Sequence, residues 1–203
     1  MKKIIFLLFA ATFSVSCIYA QKMSDIYPLI PDSLSLLLTK DNRIELVDNY
    51  LNNKEAKIKN KLRGDSELKV LTEDYMLLQT TSNTTLEVKL LPVNEYYNII
   101  CLIQTYCSSA CDSKISFYSV DWKPLKNNYF NFDPKFFILS GTECEKTQNM
   151  LDAVTVKYVI EKDGLSLIAA STTEEYMGED TYNDIATCIK KDITYQWIDG
   201  KFR

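Results

Sequence analysis

Histidine is absent from the sequence. Its absence excludes Ser-His-Asp and Cys-His mechanisms, and also zinc or haem sites with histidine ligands. Glycine and proline occur five times each, so we expect no long flexible linker. No block of Lys and Arg offers a phosphate-binding stripe, and the net charge is −4, so nucleic acid is not an expected partner. P-loop, G-x-G-x-x-G and G-x-S-x-G motifs are also missing, and we predict no catalytic residue, cofactor or metal.

The first 20 residues have the pattern of a secretory signal peptide. Two lysines precede an apolar stretch of 12 residues, which is too short to cross a bilayer as a helix. Ala20 provides the small residue before a cleavage site. The pattern therefore predicts a signal peptide over 1–20 and a mature chain that begins at Gln21 and forms a single domain over 21–203.

A second interpretation of the leader involves Cys17. Residues 14–17 form a poor lipobox, because Ser14 stands where Leu is usual. If this motif were used, Cys17 would carry lipid and anchor the protein to a membrane. No transmembrane segment is predicted later, since the longest apolar run is Ile99–Ile103. Without the leader the net charge is −6, which is typical of a soluble monomer.

The N-terminal third has helical periodicity. Asp32 is a predicted cap of a short helix, and Asn42 with Glu45 has the spacing of a capping box for a second helix. The apolar positions are Leu34, Leu37 and Leu38 in the first helix and Ile44, Val47 and Leu51 in the second. Lys54–Lys61 is basic and predicted to be solvated, with Gly64 as a helix stop.

From Asp74 onward the apolar period changes to two, which predicts strands. In one of them, Leu86, Val88 and Leu90 alternate with Glu87 and Lys89, which is typical of a half-buried strand, and Pro92 is expected to end it. The predicted strands are Tyr75–Thr81, Leu86–Leu90, Tyr97–Cys107, Ile115–Trp122, Val154–Glu161, Ser166–Ser171 and Ile193–Ile198.

Two Asp-Gly pairs mark turns in the C-terminal part. Asp163-Gly164 lies between alternating apolar residues and predicts a hairpin with a type I′ turn, and Asp199-Gly200 follows the last strand. A late helix is predicted near Thr181–Lys190, with Tyr182, Ile185, Ala186 and Ile189 on one face. The fold class is therefore α+β, with N-terminal helices packed on an antiparallel meander of about seven strands and one late helix before the last strand.

Five cysteines follow the leader. Cys107 and Cys111 flank three residues, so a short hairpin would place them opposite each other as a structural disulfide. Free thiols and a redox or metal role are the alternatives, but redox dithiols usually read C-x2-C and zinc needs four ligands. Cys144 and Cys188 are able to pair, although the sequence does not decide it, and Cys101 is expected to be a core side chain.

Carboxylates are candidates for acid–base chemistry. Asp121, Asp133, Glu174 and Glu175 stand at strand ends or beside proline. A hydrolase would need two of them facing each other across a sugar. Solvated charge is the favoured interpretation for each.

Aromatic residues concentrate between positions 122 and 137. We take Trp122, Tyr129, Phe130 and Phe132 as a candidate surface for a ligand or partner, because aromatic rings stack on sugars and anchor protein partners. The alternative is that these rings cover the open face of the sheet.

Six segments of the sequence resemble a family of uncharacterised exported proteins from Bacteroides-type bacteria. They are Ile30–Leu34 with Leu38–Arg43, Leu71–Tyr75 with Lys89–Pro92, Cys111–Tyr118, and Asp121–Leu125. The family is a domain of unknown function, so the resemblance implies export but no catalytic residue, cofactor or substrate. It also implies that the hairpin between Cys107 and Cys111 is a shared feature.

The sequence as a whole predicts an exported, non-enzymatic binding module. It would work in the periplasm or at the cell surface and recognise an unknown protein or envelope polymer. One alternative is a carboxylate-based hydrolase that acts on an envelope or dietary glycan. Another is a structural envelope lipoprotein anchored through Cys17.

Overall fold

The computed structural model describes residues 21–126, 129–144, 147 and 154–203. These residues form two antiparallel sheets of six and four strands, and in both sheets each strand pairs with its neighbour in sequence. The larger sheet contains β1 (Lys57–Lys59), β2 (Asp65–Leu71), β3 (Tyr75–Thr81), β4 (Thr84–Asn94), β5 (Tyr97–Cys107) and β6 (Cys111–Ser119). The smaller sheet contains β7 (Val156–Ile160), β8 (Ser166–Ser171), β9 (Asp192–Ile198) and β10 (Lys201–Phe202).

The helices are short except for Lys40–Leu51. Its N-terminus is a capping box in which Thr39 Oγ1 accepts from the Asn42 N–H and Asn42 Oδ1 accepts from the Thr39 N–H, both at 3.2 Å. Asn42 is therefore the third residue of the box and not its cap, which corrects the predicted start. The other helices among the described residues are Met23–Ile26, Glu174–Met177 and Glu179–Asn183, with 3₁₀ turns at Tyr27–Leu29, Pro134–Phe137, Thr142–Cys144 and Ala186–Cys188.

The larger sheet forms the middle of three layers. The N-terminal helices cover one face, and the smaller sheet packs against the other. The first core includes Met23, Tyr27, Leu46, Leu78, Val88 and Leu102. The second core includes Leu91, Ile99, Ile103, Phe117, Tyr158 and Leu167. Because β4 and β5 contribute alternate residues to both cores, they are buried on both faces.

Residues 32–38 form turns instead of the predicted short helix. Asp32 does not cap a helix because its carboxylate accepts from the Arg43 guanidinium at 2.9 Å. The same guanidinium donates to the Leu38 carbonyl at 2.8 Å and is buried. This buried arginine fixes the turn segment against the helix Lys40–Leu51.

Two strands occur where the sequence analysis placed solvated residues and a helix stop. β1 and β2 pair with Lys57 opposite Glu67 and Lys59 opposite Asp65, and Lys59 Nζ lies 2.7 Å from the Asp65 carboxylate. Cross-strand charge pairs stabilise such a hairpin, and lysines are common on exposed sheet edges. In β2 the charges of Asp65, Glu67 and Lys69 alternate with Ser66, Leu68 and Val70, which is a strand period that the sequence analysis missed.

Pro92 does not end its strand. It lies opposite Asn98 in the ladder between β4 and β5, and its carbonyl accepts the Trp197 indole N–H at 2.7 Å. The strand continues because proline loses only the donor, while its acceptor remains available.

Of the two C-terminal Asp-Gly turns, the one with positive φ values is not the one that was predicted to be type I′. The hairpin around Asp163-Gly164 forms, but neither residue has a positive φ, so its turn is not type I′. Asp199 and Gly200 do have positive φ values, of 50° and 72°, in the tight turn between β9 and β10. The predicted late helix is a short helix, Glu179–Asn183, followed by a 3₁₀ turn. Its expected apolar face still packs together through Tyr182, Ile185 and Ile189.

Candidate functional site

Trp122 is a core side chain beneath the N-terminal helices. It follows β6 with a φ of 60°, and its indole N–H donates to the Ile26 carbonyl at 2.9 Å. Its ring centroid lies 5.7 Å from that of Tyr118. This side chain is buried and therefore takes no part in an exposed surface.

The other three predicted aromatic residues lie on the opposite side of the larger sheet. Phe130 is buried in the second core and packs edge-on against two tyrosine rings. Its ring centroid lies 5.6 Å from that of Tyr158 and 5.0 Å from that of Tyr195. Tyr129 and Phe132 are half-buried and pack against the same core. The four aromatic residues are thus divided between two cores. Burial removes Trp122 and Phe130 from the candidate aromatic surface and agrees with a covering role for these two rings, while Tyr129 and Phe132 keep part of their side chains exposed.

The candidate site is instead a groove that the sequence analysis did not find. Its volume is about 480 Å³, and it lies between residues 33–38 and the helix-facing side of strands β3 to β6. Leu36 is 70% exposed, Leu62 is 71% exposed and Tyr106 is 55% exposed. We call this site the leucine groove. The described residues that line it are Ser33, Leu34, Ser35, Leu36, Leu37, Leu38, Leu62, Thr80, Thr81, Thr84, Thr85, Leu86, Gln104, Tyr106 and Lys114.

Hydrogen bonds hold the two loops at the rim of the leucine groove. The Lys61 N–H donates to the Leu37 carbonyl at 3.1 Å, which joins one loop to the other. The Asn60 side chain accepts from the Leu62 N–H at 3.0 Å and donates to the Thr80 carbonyl at 3.0 Å. Leu36 and Leu62 therefore project from anchored backbone.

The floor of the leucine groove is the end of the hairpin formed by β5 and β6. Gln104 lies opposite Lys114 on this hairpin. The Asp112 carboxylate is engaged elsewhere, since it accepts from the Val156 N–H at 3.2 Å. Within the described part of the chain, Lys114 makes no salt bridge.

The hairpin end is closed by a disulfide between Cys107 and Cys111, whose Cα atoms are 4.0 Å apart. A second disulfide joins Cys144 and Cys188, and Cys101 is free and buried. Disulfides persist in oxidising compartments. The pair of bridges therefore indicates that the protein works outside the cytoplasm.

A buried polar cluster between the two sheets was also missed. Glu87 is 6% exposed and Lys89 is 1% exposed. Lys89 Nζ lies 2.8 Å from the Asp74 carboxylate and donates to the Lys162 carbonyl at 2.7 Å. Alternation with Leu86 and Val88 indicated only that these charges share a face. It did not indicate that a second sheet covers that face.

Glu87 connects the two sheets. Its carboxylate accepts from the Tyr75 hydroxyl at 3.2 Å and from the Ile160 N–H of β7 at 3.4 Å. Burial raises the pKa of Glu87 above its usual value, against the lowering effect of these hydrogen bonds and of Lys157. Burial also raises the pKa of the Cys101 thiol, and the Glu87 charge raises it further, so Cys101 is an unreactive core thiol.

The acidic residues singled out in the sequence lie apart from the leucine groove. Asp121 is exposed after β6, and Asp133 accepts from the Lys135 N–H at 2.9 Å at the start of a 3₁₀ turn. Glu174 and Glu175 lie in the first turn of a short helix. Across the residues described by the structure, no three His, Cys, Asp or Glu side chains are grouped to hold a metal ion. No described helix is both long and apolar enough to cross a bilayer.

Comparison with known protein families identifies one match. The sequence model of the family DUF3256, described as a protein of unknown function, matches residues 15–202. The chain belongs to this family. The resemblance found in the sequence is thereby confirmed at the level of a domain of unknown function.

A solved structure is similar to this DUF3256 chain. It is a domain of an uncharacterized protein from Porphyromonas gingivalis W83, with a TM-score of 0.74 and 20% identity. The similarity covers 88% of this chain and 96% of that chain. At this identity it shows the fold alone. No curated protein matches the chain.

Proposed function

We propose that this protein is an exported, non-enzymatic binding module that holds part of a protein or an envelope polymer in the leucine groove. It works in the periplasm or at the cell surface. The observation that carries the proposal is the exposure of Leu36 and Leu62, 70% and 71%, on two hydrogen-bonded loops at one groove. Apolar side chains that project from fixed backbone around a concavity are typical of binding sites.

The energetics favour a bound partner over a solvated groove. Covering an exposed leucine stabilises a complex by about 1.5–3 kcal/mol for full burial. The Lys61–Leu37 and Asn60–Thr80 hydrogen bonds already order the two loops, so little conformational entropy is lost on binding. Two leucines and Tyr106 thus provide a small set of anchoring contacts.

Export is supported by the two disulfides and by the signal-like leader. Lipid attachment at Cys17 remains the alternative way of placing the same groove in the envelope. In either case the groove faces components of the envelope and not of the cytoplasm.

At the leucine groove, binding is better supported than glycan hydrolysis. A glycosidase needs two carboxyl groups facing each other across the sugar. The described residues that line the leucine groove include no aspartate or glutamate. The groove thus has contacts for holding a partner but not the acid pair.

Capture of envelope material by groove variants tests this function. We expect the immobilised mature protein to retain a component of the envelope fraction of its own bacterium, and the Leu36→Ser/Leu62→Ser variant to retain less than about a tenth of it. The matched control is Leu29→Ser/Leu51→Ser, which alters two leucines that are each 59% exposed and lie outside the groove. Equal capture by the groove variant and the wild type would contradict the proposal, provided that both proteins show the same unfolding temperature.

A further inference from the structure

The polar part of the leucine groove indicates which chemical class it takes. The half-buried side chain of Gln104 has no hydrogen bond to the described residues. Of the threonines in the lining, Thr80 already donates to the Thr84 carbonyl at 3.1 Å and Thr81 accepts from the Asn83 N–H at 3.2 Å, whereas the Thr84 hydroxyl has no such bond to a described residue. An acyl chain laid over these groups would remove their water without replacing its hydrogen bonds, at a cost of about 1–3 kcal/mol for each group. A peptide backbone brings both N–H donors and C=O acceptors, so it suits a groove with leucines at the rim and amide and hydroxyl groups beneath.

The charge of the groove indicates a further feature of its ligand. Lys114 is the charged side chain among the described lining residues, and the nearest carboxylate along β6, that of Asp112, is turned toward the other sheet. Lys61 and Arg63, which flank Leu62, are exposed and have no salt-bridge partner in the described ranges. An unpaired cation beside an apolar rim complements a carboxylate.

We propose that the leucine groove binds an extended peptide segment that carries apolar side chains and a carboxylate, with the carboxylate paired to Lys114. The apolar side chains lie against Leu36, Leu62 and Tyr106, and the peptide backbone hydrogen-bonds to Gln104 and the Thr84 hydroxyl. This inference rests on the proposed function, because it names the ligand class of the same groove.

Selection of peptides on the intact mature protein provides the probe. A phage-displayed library of random 12-residue peptides is selected on the wild type, and the enriched peptides are synthesised with a fluorescein label for anisotropy titration. We expect them to share apolar residues next to Asp or Glu. Lys114→Glu should weaken binding about tenfold or more, while Lys201→Glu, a matched change of an exposed strand lysine on β10, should leave it unchanged.

A charge exchange separates a direct ion pair from general electrostatics. When the acidic residue of the selected peptide is replaced by lysine, binding to the wild type should fall, and binding to Lys114→Glu should recover at least part of the loss. Loss without any recovery would overturn the pairing with Lys114. Selection of the same peptides by Leu36→Ser/Leu62→Ser would overturn the groove as their site.

Failure of the peptide inference is distinguishable from failure of the binding function. If envelope capture depends on Leu36 and Leu62 but the captured component resists protease, or if palmitate binds in place of peptides, the binding module stands and the peptide class is overturned. A selection that enriches no peptide would likewise overturn the peptide class and leave the binding module in place. If capture does not depend on the two leucines, both proposals are overturned.

Discussion

Lys89 and Glu87 are two charged residues of one strand that lie inside the protein. Lys89 has an anionic partner in Asp74 and a carbonyl partner at Lys162, so its ammonium group keeps strong hydrogen bonds without water. Among the described residues, the hydrogen bonds to the Glu87 carboxylate come only from a hydroxyl and a backbone N–H. Because a buried charge with few partners is costly, Glu87 is the less well compensated of the two.

Glu87 gives the fold a pH dependence of defined sign. Its pKa is raised in the folded state, so the folded chain keeps this proton at pH values at which the unfolded chain has lost it. Stability therefore falls as pH rises from the unfolded pKa, 4.5, through the raised folded pKa. We expect Glu87→Gln to remove this fall and to be more stable than the wild type at pH 7, because the amide carries no charge that must be buried.

Urea unfolding of the wild type and Glu87→Gln between pH 4 and 8 measures this effect. The control is Glu45→Gln, which removes an exposed carboxylate from the helix Lys40–Leu51 and should follow the wild-type profile. Parallel profiles for the wild type and Glu87→Gln would show that Glu87 is not the source.

For single residues, the sequence predicted which apolar side chains are buried better than it predicted the surroundings of the charged ones. Cys101 is a buried thiol as expected, and Trp122 and Phe130 are core side chains, as the alternative interpretation held for these two rings. Glu87 was expected on a solvated face because alternation reports which residues share a face, and the covering sheet is formed by strands more than 60 residues later.

Among the elements, the hairpins with apolar strands were the most predictable. Tyr75–Thr81, Tyr97–Cys107 and Ser166–Ser171 occur with the predicted bounds, because continuous or alternating apolar residues specify a strand locally. β1 was not predicted because it has three residues and depends on cross-strand contacts such as Lys59 with Asp65, whereas the alternation in β2 was available in the sequence and was missed. The loops of the leucine groove have no local signal, because their positions depend on Arg43 and Asn60 contacts with distant backbone.

The two disulfides are expected to differ in their contribution to stability. The Cys144–Cys188 bridge spans a sequence separation of 44 residues and the Cys107–Cys111 bridge spans 4. In the chain-entropy model, the bridge that closes the longer loop adds about 4 kcal/mol to the free energy of unfolding, and the bridge that closes the shorter loop adds about 2 kcal/mol. Cys144→Ser/Cys188→Ser should thus lower the free energy of unfolding about twice as much as Cys107→Ser/Cys111→Ser.

Guanidinium unfolding of the two double variants, each against the wild type, checks this order. Each pair is replaced together, so that no unpaired thiol remains from the broken bridge. A larger loss for the short hairpin bridge would contradict the entropic account and would indicate that native contacts of that hairpin dominate.

For the whole molecule, the sequence predicted an α+β mixture but not the division into layers. The expected single meander of about seven strands is two meanders, one of six and one of four strands. The second face of the central sheet became available to the smaller sheet because β4 and β5 carry apolar residues on both sides. The groove exists because the N-terminal layer leaves the corner at Gln104 and Lys114 uncovered.

Export makes a prediction about the mass of the complete protein. Protein recovered from its own bacterium should begin at Gln21. Its mass should be lower than that of the reduced chain by two hydrogens for each of the two disulfides. Intact-mass spectrometry with and without a reductant measures both features. A product that retains Met1 and gains no mass on reduction would contradict export, whereas an added lipid at Cys17 would support the anchored alternative.

Amide hydrogen exchange of the mature protein, with and without the envelope component that it captures, tests the central claim of binding in the leucine groove most directly. We predict that the bound partner slows exchange in residues 33–38, at Leu62 and in the hairpin around Gln104 and Tyr106, with the segment 129–137 unchanged. Slowing confined to residues 129–137, or no slowing at the groove with partner bound, would contradict the account.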